Sequence, residues 1–369
     1  MRAGNRQMGG ALEATQAGTS PRRVRYFDIA KGLAIIAVIL GHAAIRLGSV
    51  SGVAILVCQL VFSFHMPLFF ILSGYFIHAG RRFAWRKEAR RLLVPYGATA
   101  LVVVVGMTLS YLVLHDAPPG VRIREMALAW ANAAVFGAGD VKGNALWPQT
   151  VRIGAIWFLL ALFWARAIAH LALRSKWAPL VGLASFLAGM LSSRFVFLPF
   201  SIQPGMCAAL FVILGSEARQ RGILGRRVAW YGLALALVAW AASIVVVAPG
   251  FMGMATCWFG NTPAQVALSV VGSCCATYAV VRLSQKIDER GAHAPALLAE
   301  LGRISLAILC IHLIEDNVVR WDAINALLLQ EMSPEALLPV EAVARTTADC
   351  ALAWMLMKVP PISRLMGGR

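Results

Sequence analysis

The sequence predicts an all-α integral membrane protein with about ten transmembrane helices and both termini in the cytoplasm. Three observations lead to this prediction. The 369 residues are 59% hydrophobic and only 14% charged, with a mean hydropathy of +0.72, whereas a soluble domain carries about 25% charged residues. Apolar segments of about 20 residues, the length that crosses a bilayer, recur along the chain. The basic residues are concentrated in alternate connections between these segments.

Each predicted span is an apolar run bounded by charged or turn-forming residues. The ten segments are 27–47, 53–79, 93–114, 153–173, 178–195, 198–216, 228–248, 263–283, 301–320 and 338–357. They leave no room for a separate soluble domain. We therefore expect a disordered basic cytoplasmic tail over 1–26, one transmembrane domain over 27–358 and a cytoplasmic tail over 359–369.

The orientation follows from the distribution of Arg and Lys. With the amino terminus inside, connections such as 81–92 and 217–227 are cytoplasmic and rich in basic residues, whereas the longest outer connection, 115–152, holds few. The middle of that connection, residues 121–136, is predicted to be an amphipathic surface helix. The net charge of +17 is thus explained by membrane topology. We expect a multi-pass protein of the cell inner membrane, in contact with the lipid bilayer and with no nucleic-acid partner.

Neither a metal centre nor a bound cofactor is expected. The seven cysteines include no C-x-x-C pair, and most lie within apolar segments, as small core residues do. The sequence contains no H-E-x-x-H motif and no glycine-rich nucleotide loop.

Three ionisable residues of the first helix lie nearly on one face. Asp28 and Lys31 are three residues apart and can form a pair. His42 follows Lys31 by eleven residues, which is about 16 Å along a helix axis. Since charged groups inside a membrane are costly, they are functional candidates: Lys31 would attract an anionic donor, and His42 would act as a general base. In the alternative interpretation, Lys31 extends to the interface and His42 bonds a backbone carbonyl.

The second span and the basic stretch after it also allow two interpretations each. Pro67, which follows His65, is expected to break or kink the helix. His65 and Ser73 then line a polar cavity, or the kink serves packing alone. Six of the eleven residues in 81–91 are basic. Lys87 and Arg90 can clamp phosphate from one helix face, or the stretch is a positive-inside anchor that contacts anionic lipid.

His312 is the remaining buried ionisable candidate. Glu315, Asp316 and Asn317 follow it by about one turn. The group either handles protons as a second cluster, or His312 is a structural hydrogen-bond partner and the acids mark the outer end of the helix.

These motifs together resemble the membrane-bound acyltransferase-3 family, in particular its sugar O-acetyltransferase branch, which includes fucose 4-O-acetylase-like proteins. The resemblance rests on residues 25–32, 41–42, 64–70, 73–74, 157–163 and 301–312. It implies a ten-helix fold and the transfer of an acyl group, usually acetyl from acetyl-CoA, to a hydroxyl of a glycan or glycolipid.

By this resemblance, His42 is the catalytic base or an acyl relay, Lys31 is the motif cation and Asp28 is its neighbour. The family's second basic pair, Arg-x-x-Arg, has its nearest match in Lys87 and Arg90. These are expected to bind the acyl donor together with Arg91. His65, Ser73, Trp157 and His312 are expected to line the cavity.

Two other functions share the same intramembrane charges. A transporter or exporter of a glycan or small solute would also place polar residues inside the bundle. An assembly partner within a polysaccharide complex would carry vestigial motifs. The combination of Lys31, His42 and a basic stretch at one end of the bundle favours the enzyme.

Overall fold

The computed structural model describes residues 24–77, 83–114, 122–141, 147–224, 230–291 and 293–366, and over these ranges the chain forms helices and no β-strand. The helices are α1 (Arg25–Leu47), α2 (Gly52–Phe62), α3 (His65–Tyr75), α4 (Trp85–Leu114), α5 (Ile123–Phe136), α6 (Trp157–Ala172), α7 (Ala178–Ser192), α8 (Ile202–Gln220), α9 (Trp230–Val247), α10 (Pro263–Glu289), α11 (His293–Arg303), α12 (Ser305–Val318), α13 (Trp321–Leu328), α14 (Pro334–Leu356) and α15 (Pro360–Leu365). The predicted all-α class is confirmed for these ranges.

Each of the ten predicted spans coincides with a helix or a helix pair. Within the described ranges, five spans are long and apolar enough to cross a membrane: Arg25–Leu47, Gly52–Tyr75, Trp85–Val113, Trp230–Val247 and Pro263–Glu289. The bent pair His293–Arg303 and Ser305–Val318 makes a sixth if it is one span. Helices α6 and α7 are apolar but shorter. The number of ten crossings therefore stays a prediction.

Two predicted spans are interrupted. The segment 301–320 is not one helix, because α11 and α12 meet at Ile304 with a bend of 71°. The second span breaks between Phe62 and His65, so Pro67 lies in the first turn of α3 rather than in a helix interior. A first-turn proline loses no intrahelical hydrogen bond. The break, rather than a proline kink, therefore changes the direction of the chain.

The predicted surface helix within 121–136 is present as α5, which ends at Gly137 in the left-handed conformation (φ 74°). A short helix, α15, lies in the segment predicted as the carboxyl-terminal tail. Most of the amino-terminal tail, and Arg81 and Arg82 of the basic stretch, lie outside the described residues. All seven cysteines are free thiols.

Helix α1 lies at the centre of the bundle. It packs against α2, α3, α10, α11, α12 and α14. Of the 18 residues in its most apolar segment, 67% are buried inside the protein, whereas 17% are buried in the corresponding segment of α9 at the periphery. The ionisable residues of α1 are therefore surrounded by protein rather than by lipid, as intramembrane charges require.

Helices α3 and α8 approach closely through two glycines. A Cβ atom at Gly74 of α3 would overlap the backbone carbonyl of Val212 in α8, and one at Gly215 of α8 would overlap the carbonyl of Ile71. Such small residues let membrane helices bring their backbones together. The position of α3, which carries His65 and Ser73, is thus fixed against α8.

We expect Gly74→Ala to destabilise the protein by about 1–3 kcal/mol, because the added methyl group meets backbone that cannot rotate away. The measurement is the apparent melting temperature of the detergent-purified protein. Gly97→Ala is the matched control, since a Cβ there meets no atom within 4 Å. Equal melting temperatures for the two variants would contradict the close packing of α3 on α8.

Candidate functional site

The functional candidates of α1 lie at two levels of one helix. Lys31 Nζ donates a hydrogen bond to Asp28 Oδ1 at 2.8 Å, so the pair expected from the sequence is present. Lys31 remains partly exposed, with 26% of its side chain accessible. His42 lies three turns further along α1, and 12% of its side chain is accessible. A cavity opens at each level.

The Lys31 cavity has a volume of about 240 Å³. Its polar lining consists of Lys31, Ser73, Glu88, Arg91, Arg166 and Ser305. Arg166 donates to both oxygens of Glu88 at 2.8 and 2.9 Å and to Ser73 Oγ at 2.9 Å. Arg166 is therefore rigidly held, whereas Lys31 is paired with Asp28 but is partly exposed to an anionic ligand.

The predicted donor cations do not all lie together. Arg91 lines the Lys31 cavity. Lys87 and Arg90 are exposed on α4 and do not line it. The reason is helix geometry, because Glu88 and Arg91, three residues apart, share the inward face. A contact of Lys87 and Arg90 with a donor at the cavity mouth stays a prediction.

The His42 cavity has a volume of about 480 Å³. His42, His65 and Trp157 line it, together with Asp140 and Arg152. Three apolar residues line both this cavity and the Lys31 cavity: Val38, Met66 and Leu309. The two cavities are therefore neighbours along α1, separated by a constriction of side chains.

His65 bridges the break between α2 and α3. Its Nδ1–H donates to the backbone carbonyl of Val61 at 2.5 Å. That carbonyl belongs to the last turn of α2 and also accepts a hydrogen bond from the backbone N–H of Phe64 at 3.2 Å. His65 thus joins the two halves of the broken span and lines the His42 cavity at the same time.

Asp316 of α12 orients His42. The Nδ1–H of His42 donates to Asp316 Oδ2 at 3.3 Å, because a carboxylate can only accept. This arrangement leaves Nε2 of His42 as the unprotonated nitrogen of the neutral ring. A carboxylate that holds one histidine nitrogen and frees the other is the arrangement of a general base.

A buried arginine holds Asp316 in turn. Arg345 of α14 is fully buried and lies 2.6 Å from Asp316 Oδ1. It also pairs with Glu315 at 2.9 Å and with Glu341 at 3.1 Å. Arg46 adds a bond to Asp316 Oδ1 at 3.1 Å. Asp316 is therefore fixed from both sides, and its charge is compensated inside the protein.

His312 lies beside the cluster formed by His42, Asp316 and Arg345. Its side chain is fully buried, and its Nδ1–H donates to Asp349 Oδ2 at 2.9 Å. The His312 ring lies edge-on to the His42 ring, with 5.1 Å between centroids. Among the described residues, its Nε2 has no hydrogen-bond partner. Glu315 and Asp316 lie in the last turn of α12 and pair with Arg345. Both interpretations of His312 therefore stay predictions.

Two groups of side chains bring metal-ligating atoms within 4.8 Å of one another: His42, His312 and Asp316, and His312, Glu315 and Asp349. Arg345 already contacts Asp316 and Glu315. Since the guanidinium supplies the positive charge that these carboxylates need, the cluster requires no cation. The absence of a metal stays a prediction.

Sequence reasoning missed Arg166, Arg345 and Asp349. The signals were present. Arg166 interrupts the apolar run of α6, and Glu341, Arg345 and Asp349 follow each other at intervals of four, which places them on one face of α14. Charged residues at helical spacing within an apolar segment indicate an internal network.

Comparison with known proteins identifies the family to which the chain belongs. The Acyl_transf_3 family model, described as an acyltransferase domain, matches residues 24–321. This match includes α1, both halves of the broken second span and α12, which together provide His42 and Asp316. Comparison with curated proteins and with solved structures gives no match. Because the match extends over most of the chain, this protein belongs to the acyltransferase-3 family of membrane acyltransferases.

Proposed function

We propose that the protein is a membrane O-acyltransferase that moves an acetyl group from cytoplasmic acetyl-CoA to a hydroxyl of a glycan or glycolipid. One observation carries the proposal: two neighbouring cavities lie along α1, one lined by cations and the other by His42. A two-substrate transfer needs such an arrangement, because donor and acceptor must meet at one base from different directions.

The Lys31 cavity suits the donor. Acetyl-CoA carries phosphates, which charged nitrogen donors bind strongly, and Lys31, Arg91 and Arg166 line this cavity. The remainder of the molecule is a long thin arm that ends in the thioester. Directed past Val38 and Met66, the arm would bring the thioester carbonyl to the His42 cavity.

The transfer step uses His42 as the base. Nε2 of His42 takes the proton of the acceptor hydroxyl while the hydroxyl oxygen attacks the thioester carbonyl carbon. The carbon–oxygen bond forms, the carbon–sulfur bond breaks, and the proton passes to the thiolate of CoA. Asp316 stabilises the imidazolium that exists between these transfers.

An acyl relay is the second route over the same atoms. Nε2 of His42 first attacks the thioester carbonyl carbon, the carbon–sulfur bond breaks, and CoA leaves as the thiolate. The acceptor hydroxyl oxygen then attacks the acetyl carbon, the bond between that carbon and Nε2 breaks, and the hydroxyl proton passes to the CoA thiolate. The contact with Asp316 serves both routes, since it directs the lone pair of Nε2 away from the carboxylate.

The topology completes the proposal. The protein crosses the cell inner membrane ten times in this proposal, with both termini on the cytoplasmic side. Lys31 then lies near the cytoplasmic face, and His42 lies beyond the middle of the bilayer. The donor is then supplied from the cytoplasm, and the acceptor reaches His42 from the outer side.

The test is the O-acetylation of cell-surface glycans, measured by mass spectrometry in cells that contain or lack the protein. We expect the acetyl mass increment only in cells that contain it. Unchanged acetylation together with a changed amount of exported glycan or solute would overturn the proposal in favour of a transporter, whose pathway would use the same two cavities.

A further inference from the structure

A third cavity, the Trp321 cavity, lies beside the His42 cavity. It has a volume of about 490 Å³. Its lining has hydrogen-bonding groups on Ser110, Tyr111 and Asn317 and the indole ring of Trp321. The charged residues of the lining are three arginines, Arg46, Arg152 and Arg320, and two carboxylates, Asp316 and Asp322, both of which Arg46 pairs. Aromatic rings and hydrogen-bonding groups together bind molecules that are apolar on one face and polar at the edge, as sugar rings are.

Arg152 connects the two cavities. It lines both the His42 cavity and the Trp321 cavity. Because Arg152 is common to both walls, the two cavities are neighbours, and an acceptor in the Trp321 cavity would reach His42 past the Arg152 guanidinium. This cavity is therefore placed to hold the acceptor, which must present a hydroxyl at His42.

Arg152 differs from its neighbour Arg46 in its partners. Arg46 bonds Asp322 at 2.7 Å and Asp316 at 3.1 Å, so carboxylates of the protein already compensate it. Arg152 is half-buried and, within the described ranges, forms no hydrogen bond or ion pair. A partly desolvated cation without a protein partner is costly, and an anion on a ligand removes that cost.

We propose that the Trp321 cavity binds a carbohydrate acceptor that carries an anionic group, a carboxylate or a phosphate, close to the hydroxyl that is acylated, and that Arg152 binds this group. The inference rests on the proposed function only in naming this molecule the acceptor. The binding itself requires no acyl transfer. Arg152 acts here as a specificity-determining residue.

The experiment measures sugar binding to the detergent-purified protein by isothermal titration. The ligands are methyl glucuronide, glucose 1-phosphate and the neutral methyl glucoside. The proteins are wild type, Arg152→Gln, Arg152→Lys and the control Arg194→Gln, whose arginine is exposed and lines none of the three cavities.

We expect wild type to bind one or both anionic sugars at least about tenfold more tightly than methyl glucoside, since a charge-assisted hydrogen bond is stronger than one between neutral groups. Preference for the glucuronide would identify a carboxylate, and preference for the sugar phosphate would identify a phosphate. Arg152→Gln should lose this preference and bind methyl glucoside unchanged, Arg152→Lys should keep part of it, and Arg194→Gln should match wild type.

Equal binding of neutral and anionic sugars by wild type, or a preference that survives in Arg152→Gln, would overturn the inference. Failure of the proposed function would be seen elsewhere, as unchanged O-acetylation of the cell's glycans. Because the titration contains no acyl donor, its outcome does not depend on that result.

Discussion

His42→Ala is expected to abolish acyl transfer while the protein stays folded. Removal of a positioned base lowers the rate by about 10²–10⁴-fold, and a relay route would be lost altogether because no nucleophile remains. The measurement is the transfer of radiolabelled acetyl from acetyl-CoA to glycan in isolated membranes, at matched protein levels. His293→Ala is the control, because His293 is exposed at the start of α11, away from the site.

Asp316→Asn tests the orientation of His42 separately. The amide keeps the size of the side chain but offers an N–H where His42 now finds an acceptor, so the unprotonated nitrogen can turn towards it. We expect kcat to fall steeply with little change in KM for acetyl-CoA. Asp322→Asn is the control, because Asp322 is 85% exposed and contacts Arg46 rather than His42. An equal loss in both variants would contradict the assignment of Asp316 as a positioning residue.

Arg345→Met is expected to produce the largest loss of stability in the chain. The substitution leaves three carboxylates, those of Glu315, Asp316 and Glu341, near one another without the cation that now pairs with each. Removal of one partner from a buried ionic cluster costs about 3–5 kcal/mol. The apparent melting temperature of the detergent-purified protein, and the amount of folded protein in the membrane, measure this loss.

The control for Arg345 is Arg303→Met. Arg303 pairs with Glu300 on the exposed surface of α11, with 47% of its side chain accessible, and exposed pairs contribute little. Arg345→Lys keeps the charge but cannot reach three carboxylates with one ammonium, so its melting temperature should lie between those of wild type and Arg345→Met. Wild-type stability in Arg345→Met would show that these carboxylates do not need the guanidinium.

The positions of the longer apolar helices followed from hydrophobicity, whereas α13, α15 and most of α11 lie outside the ten predicted spans. Apolar runs of about 20 residues must be helical inside a bilayer, because every backbone group needs an internal partner there. The bend at Ile304 was not predicted, although Gly302, Arg303 and Ser305 interrupt the apolar run there. It depends on the packing of α11 against α1, where Gly302 adjoins the backbone of Asp28.

The site residues likewise include some that stand out in the sequence and others whose contacts depend on how the helices pack. Lys31 and His42 were predictable because an ionisable residue in an apolar helix is rare. The contact of His42 with Asp316 was not, because 274 residues separate them and a single sequence carries no information about which helices are neighbours. From the sequence, Asp316 is assigned only as a neighbour of His312, and no role is assigned to Arg345. Their roles emerge from the packing of α12 and α14 against α1.

In the proposed mechanism, the acyl group crosses the bundle from the Lys31 cavity to His42. The most direct test uses sealed membrane vesicles of known orientation, with radiolabelled acetyl-CoA supplied on the cytoplasmic face alone or on the opposite face alone. We expect that only acetyl-CoA on the cytoplasmic face labels glycan, and that the labelled glycan lies on the opposite side of the membrane. Vesicles that contain the His42→Ala variant should remain unlabelled. Label on glycan of the same side as the donor, or equal labelling from either face, would contradict this mechanism.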